Sequence, residues 1–156
     1  MGKKKKTEEG IKVIAQNKKA RFEYHVEDKY EAGMVLMGSE VKSLRDNRAS
    51  LVDSYASIKQ GECFLHKVHI AIYPPSAQFN HEPTRTRKLL MHKGEIEKLT
   101  IKLKERGFTL IPLRLYFKQG KAKVELGLCK GKKQYDKRAT IKKRETKREI
   151  SRAMKR

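Results

Sequence analysis

Tryptophan is absent from this chain of 156 residues, and cysteine and proline are scarce, with two and four residues. No run of about 18 apolar residues occurs, so we expect no membrane-spanning helix. The basic residues Lys3–Lys6 are followed by Thr7, Glu8 and Glu9, whereas a secretory signal would continue with an apolar stretch. We therefore expect a cytoplasmic protein with reduced thiols.

The two cysteines, Cys63 and Cys129, lie far apart in the sequence and form no CxxC motif. Without a secretion signal, nothing favours a disulfide between them. Small buried thiols that fill the core are the commonest use of such residues, and we predict that role for both.

Enzymatic motifs are also lacking: the chain contains no GxSxG, Walker-type loop, HExxH or GxGxxG. His66 and His69 are three residues apart in a segment predicted to be a strand. Their side chains would point to opposite faces, so they predict no metal site. Carboxylates such as Asp28 and Glu31 are typical ion-pair partners in so basic a chain. We predict a protein that is not an enzyme and needs no cofactor or metal.

Acidic residues are few, 18 against 39 Lys and Arg, which leaves a net charge of +21. Residues 1–19 carry +5 and residues 130–156 carry +10, whereas the 110 residues between them carry +6. This distribution indicates a body of moderate charge with two basic arms, and nucleic acid is the expected partner. Solvated arms that only maintain solubility are the alternative. A membrane surface is less favoured, because no basic amphipathic helix has a strong apolar face.

Alternation of apolar and polar residues predicts the strands. Phe22, Tyr24 and Val26 form one alternating run, which Met34, Val35 and Leu36 extend or follow. Two further pairs of apolar runs flank turn residues, and each pair predicts a hairpin. The first pair, Tyr55–Lys59 and 63–72, flanks Gln60–Gly61–Glu62. The second pair, 111–117 and 122–128, flanks Gln119–Gly120.

The sequence signals for helices are weaker than those for strands. Ser39 is a candidate N-cap for a short helix that contains Val41 and Leu44. Leu89 and Leu90 follow three basic residues, and we interpret this segment as a basic helix. A third helix is predicted where Ile96, Leu99 and Leu103 recur at helical spacing, with Gly107 at its C-terminus.

These elements predict a mainly β fold with about six strands and two or three short helices. A small six-stranded antiparallel barrel of the oligonucleotide-binding (OB) kind fits the count and the charge. A ferredoxin-like or ββα arrangement is the alternative. We predict a disordered basic N-terminus over residues 1–10, the barrel over 11–130, and a basic tail over 131–156.

The tail has too few apolar residues to pack on a core. We therefore predict that it is disordered alone and becomes helical against a polyanion. A plain solvated tail is the alternative. Lysines and arginines on predicted outer faces of the body, and at the start of the tail, are candidates to face RNA. These candidates are Lys42, Arg45, Arg87, Lys88, Lys121, Lys123, Lys132 and Lys133.

An ordered set of short motifs gives the chain a family resemblance. The motifs are Ala15–Gln16–Asn17–Lys18–Lys19–Ala20, Tyr30–Glu31–Ala32–Gly33, Gly38–Ser39–Glu40–Val41–Lys42–Ser43–Leu44–Arg45, Asp53–Ser54–Tyr55, Arg87–Lys88–Leu89–Leu90–Met91–His92, Gly107–Phe108–Thr109 and Gly131–Lys132–Lys133–Gln134–Tyr135–Asp136–Lys137–Arg138. In this order they resemble small protein B (SmpB), the bacterial partner of transfer-messenger RNA (tmRNA). The resemblance covers nearly the whole chain.

The resemblance implies an OB-like barrel that holds the tRNA-like domain of tmRNA. It further implies delivery, with elongation factor Tu, to 70S ribosomes stalled on truncated messages, for trans-translation. The family positions that contact tmRNA fall here on Asn17, Lys18, Lys19, Tyr24, Glu31, Leu90 and Lys123. Glu31 and Leu90 are not obvious phosphate ligands, and local support of the fold is an equal alternative for them.

For the tail, the resemblance implies contacts with small-subunit rRNA near the decoding centre and in the empty message channel. The positions concerned are Asp136, Lys137, Arg138, Lys142, Lys143, Arg144, Lys147, Arg148 and Met154. Two positions depart from the family pattern: Phe22, where histidine is usual, and Ala153, where a bulkier apolar residue is commoner. A structural ribosomal or ribosome-assembly protein is the rival interpretation.

Overall fold

The computed structural model describes residues 10–76, 80–105 and 107–155. These residues contain nine strands, four α-helices and a short 3₁₀ helix at Pro74–Ser76. The predicted disordered segment 1–10 lies outside them, except for Gly10. The elements are β1 Ile11–Gln16, α1 Lys18–Glu23, β2 Tyr24–Met34, α2 Gly38–Arg45, β3 Ala49–Ser50, β4 Tyr55–Lys59, β5 Glu62–His66, β6 His69–Ile70, β7 Arg87–Leu90, α3 Lys93–Lys104, β8 Phe108–Lys118, β9 Lys121–Gly131 and α4 Gln134–Met154.

Six of these strands close into an antiparallel ring in the order β8, β4, β5, β7, β2, β9 and back to β8. The predicted six-stranded OB-like barrel is confirmed. Closure pairs the edges that an open sheet would leave free. Strand β1 and strand β4 share one edge of β8, at Arg114–Lys118 and at Leu110 respectively. The small strands β3 and β6 form a separate pair.

Both predicted hairpins are present. Strands β4 and β5 pair from Tyr55 with His66 to Lys59 with Glu62, and β8 and β9 pair along their whole length. Gln60 and Gln119 precede Gly61 and Gly120, and all four have positive φ. That is the two-residue turn whose twist matches the strands it joins. The second arm of the first hairpin is shorter than predicted, since β5 ends at His66.

Two predictions about helices were wrong. Leu89 and Leu90 lie in strand β7, where Leu89 is buried and Leu90 exposed, as alternation on a sheet requires. Ser39 is not the N-cap of α2, because that helix begins at Gly38 and the cap position is Met37. Phe22 belongs to α1 rather than to the strand that begins at Tyr24.

The core has two parts on opposite sides of strand β8. Leu110 and Leu115 face the barrel interior, whereas Ile111 and Leu113 face α1 and pack with Ala20. A register shift between Pro112 and Arg114 changes the alternation, which is why Leu110 and Leu115 share the interior face although they are five residues apart. A proline is acceptable next to such a bulge because the ladder is interrupted there. Cys63 and Cys129 are free and fully buried, as predicted, and burial raises the pKa of each thiol to about 11.

A buried ion pair joins α2 to strand β7. Glu40 and Arg87 are both 0 % exposed, and the Arg87 Nε–H donates to Glu40 Oε2. The other guanidinium nitrogens of Arg87 donate to the carbonyl oxygens of Val68 and Pro83, at 2.7 and 3.0 Å. Arg85 Nε–H and the Met37 backbone N–H donate to Glu40 Oε1, at 3.0 and 2.9 Å. Every charged atom of the pair is therefore satisfied.

Burial by itself raises the pKa of the Glu40 carboxyl, but these donors outweigh it and hold that pKa below its ordinary value of 4.5. Because the folded pKa is lowered, the stabilisation from Glu40 is complete above about pH 4.5. It is lost as the pH falls through the lowered pKa.

We predict that Glu40→Gln lowers the free energy of unfolding by about 3–5 kcal/mol at pH 7, because it leaves a buried guanidinium without its counter-charge. Urea denaturation measures this. Glu62→Gln is the matched control: Glu62 and Lys88 form an exposed pair at 3.0 Å, and its loss should cost less than about 1 kcal/mol. Below pH 4.5 the wild type should lose stability more steeply than Glu40→Gln. An equal loss of unfolding free energy in Glu40→Gln and Glu62→Gln at pH 7 would contradict this account.

Candidate RNA-binding surfaces

Four residues form a row across strands β7, β2, β9 and β8 on the outside of the barrel. Gly33 is paired with Leu90 on one side and with Lys123 on the other, and Lys123 is paired with Tyr116. A Cβ atom at Gly33 would lie 3.4 Å from Leu90 Cβ and 3.7 Å from Lys123 Nζ. Because glycine has no side chain, the Lys123 ammonium lies over β2 beside the exposed Leu90.

Glu31 lies two residues before Gly33 and therefore on the same face of β2. Its Oε2 accepts a hydrogen bond from the Tyr116 hydroxyl at 2.5 Å and lies 3.5 Å from Lys118 Nζ. The Tyr116 hydrogen bond and the nearby lysines hold the pKa of the Glu31 carboxyl below its ordinary value. The residues Glu31, Gly33, Leu90, Tyr116 and Lys123, here called the Gly33 surface, thus hold a fixed carboxylate, an apolar side chain and a cation together.

A shallow concavity of about 380 Å³ adjoins this surface. Its walls are largely apolar and come from Met34, Leu36, Val41 and Phe117, and Lys121 and Lys123 also line it. An apolar wall beside ammonium groups suits the ribose and base of a nucleotide next to its phosphate.

A second site lies beside helix α1, in a cleft of about 230 Å³ that we call the α1 cleft. Its lining includes Lys19, Tyr24, Asp53 and Tyr55. Lys19 Nζ lies 3.5 Å from Asp53 Oδ1 and 4.0 Å from Glu23 Oε1, so part of its charge is already paired. Lys18 is exposed next to it.

Asn17 has a structural role in this cleft. Its Oδ1 accepts from the Ala20 backbone N–H at 3.1 Å and caps α1, and its Nδ2 donates to the carbonyl oxygens of Pro112 and Leu51, at 3.1 and 3.4 Å. The residue is 6 % exposed. Its amide is therefore fully used by the protein, and the neighbouring lysines are the groups within reach of an RNA.

The two sites are separate. Ile111 in the α1 cleft and Phe117 in the concavity belong to the same strand, six residues or about 20 Å apart. The seven positions that the resemblance implies for tmRNA are accordingly divided, with Glu31, Leu90 and Lys123 on the Gly33 surface. Asn17, Lys18, Lys19 and Tyr24 lie at or beside the α1 cleft.

The prediction that Arg87 faces RNA was wrong. Arg87 is the partner of Glu40, is completely buried and does not face solvent. The other basic candidates of the body are exposed or half-buried. Lys88 pairs with Glu62, Lys42 lies over the Tyr73 ring at 5.6 Å, and Arg45 is exposed at the end of α2. Lys121 is exposed at the β8–β9 turn.

Two residues separate helix α4 from the last strand, and the predicted tail positions lie in this short link and in the helix. Lys132 is half-buried and Lys133 exposed. Asp136 Oδ2 lies 3.4 Å from His25 Nε2, Lys137 is half-buried, and Arg138 is exposed. The remaining predicted positions are all exposed: Lys142, Lys143, Arg144, Lys147, Arg148 and Met154. The helical conformation is the one predicted for the bound tail, and disorder of the free tail stays a prediction.

Sequence reasoning missed Tyr116 and helix α1. Tyr116 precedes Phe117 in an apolar run and is only 2 % exposed, but its position opposite Lys123 was a usable signal that it lies on the same face of the sheet as that lysine. Asn17 before Lys18–Lys19–Ala20 was a usable N-cap signal for α1. No group of His, Cys, Asp and Glu able to hold a metal ion occurs among residues 10–76, 80–105 and 107–155. Within those ranges no helix is both long and apolar enough to cross a membrane.

Relatives with closely similar sequences are known from several bacteria. An SsrA-binding protein from Thermobifida fusca is 57 % identical over 158 residues, covering 100 % of this chain and 99 % of the relative. One from Geobacillus thermodenitrificans is 58 % identical over 142 residues, covering 91 % and 92 %. One from Myxococcus xanthus is 57 % identical over 150 residues, covering 96 % and 93 %.

A solved structure shares the fold. It is described as tmRNA–SmpB on a journey to the center of the bacterial ribosome, and one of its chains superposes with a TM-score of 0.66 at 41 % identity, covering 81 % of this chain and 92 % of that one. Residues 14–156 match the sequence profile of a family described as SmpB protein. The chain therefore belongs to the SmpB family.

Proposed function

We propose that this protein binds tmRNA and delivers it to stalled ribosomes for trans-translation, as a cytoplasmic adaptor without catalytic activity of its own. The observation that carries the proposal is the Gly33 surface. It brings Glu31, Leu90 and Lys123 together from three different strands. The resemblance to the family implies that these three positions contact tmRNA. The names of the relatives and of the similar structure support it.

The chemistry of the Gly33 surface suits a folded RNA. Lys123 Nζ would neutralise a phosphate, and the exposed Leu90 would pack against a ribose or base. Glu31 would accept a hydrogen bond from a base amine or a 2′-hydroxyl, and Tyr116 would keep its carboxylate aimed outward. A carboxylate beside phosphates repels them, so its presence favours recognition of one particular nucleotide arrangement over any RNA.

The α1 cleft would provide a second contact for the tRNA-like domain through Lys18, Lys19 and Tyr24. Two contacts about 20 Å apart on one rigid barrel define an orientation as well as an affinity. The charge of the body between residues 20 and 129 is only +6, so shape and these local groups would carry much of the specificity.

The tail would act at the ribosome. Residues 130–156 carry +10, and from Ile141 to Lys155 every side chain of the tail is exposed. Such a segment gains little from the barrel and much from the phosphates of rRNA in an empty message channel. Elongation factor Tu would accompany the complex, as the resemblance to the family implies.

Tyr116→Phe should weaken tmRNA binding about tenfold, because one hydrogen bond to a charged group is worth about 1.5–3 kcal/mol and its loss frees the Glu31 carboxylate to move. A filter-binding titration at fixed salt measures the affinity. Tyr73→Phe removes the same hydroxyl elsewhere and should leave the affinity unchanged. An unchanged affinity in Tyr116→Phe would refute the role given to this hydroxyl.

A chain of residues 1–133 keeps every strand of the barrel and lacks α4. We expect it to bind tmRNA within about threefold of the full chain at physiological salt, where additional non-specific phosphate contacts are weak. Peptide tagging on stalled ribosomes should be lost. If RNA binding fell as far as tagging, the division of labour between barrel and tail would be wrong.

The triple variant Asp136→Ala, Lys137→Ala and Arg138→Ala should bind tmRNA with unchanged affinity and fail in tagging, because these residues belong to the tail. The same binding and tagging assays measure both effects. Tagging at the wild-type rate would show that Asp136, Lys137 and Arg138 do not act in the ribosomal step.

A further inference from the structure

Two glutamates lie directly opposite each other on the outer face of the barrel. Glu31 of β2 is paired with Glu125 of β9, so their side chains lie on the same face of the sheet. Like charges in this arrangement destabilise a sheet. Here each carboxylate has donors of its own, and the two sets of donors are different residues. The donors of Glu125 therefore matter for Glu31 as well.

The carboxylate of Glu125 is held by Arg114. The two residues are paired across strands β9 and β8, and the Arg114 Nε–H donates to Glu125 Oε2. Lys29 Nζ lies 3.6 Å from Glu125 Oε1. The Glu125 side chain is only 11 % exposed, so these two cations and not water satisfy most of its charge. A carboxylate removed from water depends strongly on its partners, which ties Arg114 to this position.

Arg114 in turn covers the ring of Tyr116, which lies two residues further along the same face of β8. The guanidinium carbon of Arg114 lies 4.8 Å from the centre of that ring, a cation–π geometry. Tyr116 is 2 % exposed, so its neighbours enclose the ring. Because Glu125 fixes the guanidinium, it also limits the movement of the ring beneath it.

The Tyr116 hydroxyl connects these contacts to Glu31, whose Oε2 accepts its hydrogen bond at 2.5 Å. Burial and this hydrogen bond raise the pKa of the hydroxyl, so Tyr116 is protonated and can donate at neutral pH. The same hydrogen bond is the main cause of the lowered pKa of the Glu31 carboxyl. Glu125 and Arg114, here called the Tyr116 support, are thus linked to Glu31 through one aromatic side chain.

We propose that Glu125 and Arg114 are positioning residues for the recognition of tmRNA, because they hold the Tyr116 ring and the ring aims the Glu31 carboxylate. This role rests on the proposed function, whereas the contacts of the Tyr116 support do not. Positioning and simple electrostatics predict opposite effects. Removing a negative charge near phosphates strengthens the binding of RNA in general. Losing the position of Glu31 weakens the binding of the RNA whose groups match it.

Glu125→Gln removes the charge with little change in size and separates the two effects. It should weaken tmRNA binding about fivefold, because Arg114 is released and Glu31 loses its fixed direction. Binding of single-stranded poly(U) should stay unchanged or become tighter. Filter-binding titrations at one salt concentration measure both affinities. Glu105→Gln is the matched control, since it breaks an exposed pair with Lys102 at 3.8 Å on α3, and both affinities should stay unchanged. Unchanged or tighter tmRNA binding in Glu125→Gln would overturn the positioning role.

Two further variants test the route through Tyr116. Arg114→Lys keeps a positive charge opposite Glu125 but lacks the planar guanidinium that covers the ring. It should weaken tmRNA binding about as much as Glu125→Gln, and wild-type affinity would contradict the proposal. In a Tyr116→Phe background, Glu125→Gln should cause no further loss, because the hydroxyl through which it acts is missing. A second loss of about fivefold in that background would show that Glu125 acts by another route.

NMR of the free full-length protein tests the Tyr116 support without RNA. A buried, hydrogen-bonded hydroxyl proton is protected from exchange with water, and its resonance is identified by its absence in Tyr116→Phe. It should be present in the wild type and in Glu105→Gln, and broadened by exchange in Glu125→Gln and Arg114→Lys. Its absence from the wild type, or its persistence in Glu125→Gln, would overturn the support. If the wild-type chain did not bind tmRNA, the proposed function would fail, and this resonance would still decide whether Glu125 and Arg114 hold Tyr116.

Discussion

The buried carboxylate of Glu40 is the constraint on which the outer surface of the barrel depends. Two arginines and one backbone N–H converge on it. The N–H belongs to Met37 just before α2, Arg85 lies in the loop before β7, and Arg87 is the first residue of β7. A buried charge that loses its partner costs several kcal/mol, so α2 and β7 cannot shift independently. The register of β7 is fixed in consequence. Since Leu90 is the last residue of that strand, its place beside Gly33 follows from an ion pair three residues away.

The charge of the protein is used in two different ways. On the Gly33 surface a lysine lies near a carboxylate that the barrel holds ionised, and in the α1 cleft Lys19 faces Asp53 and Glu23. Such mixed sites gain less from simple phosphate attraction than from a matching arrangement of groups. The tail has few acidic residues, and most of its described side chains are exposed. We therefore expect its attraction to RNA to be stronger in low salt and less selective.

Much of the barrel could be predicted from the sequence, because alternating strands and two-residue turns are local signals. The hairpin from Ile111 to Leu128 and the helix with Leu99 are examples. Arg87 could not be placed correctly from the sequence, since its partner Glu40 is 47 residues away and only the fold brings them together. The basic residues before Leu89 and Leu90 suggest a helix. Pairing of this segment with β2 and β5 makes it a strand instead. The resemblance to the family supplied Glu31, Leu90 and Lys123, and the structure brings these three unlike residues onto one face of the barrel.

The free length of helix α4 turns small angles into large displacements. From Arg144 to Met154 the axis extends about 15 Å without support, so a tilt of about 20° at the point of attachment moves the tip by about 5 Å. That distance is close to the spacing between successive phosphates along a strand. A small change of angle where the helix leaves the barrel is therefore enough to carry an exposed basic side chain near its far end from one phosphate to the next.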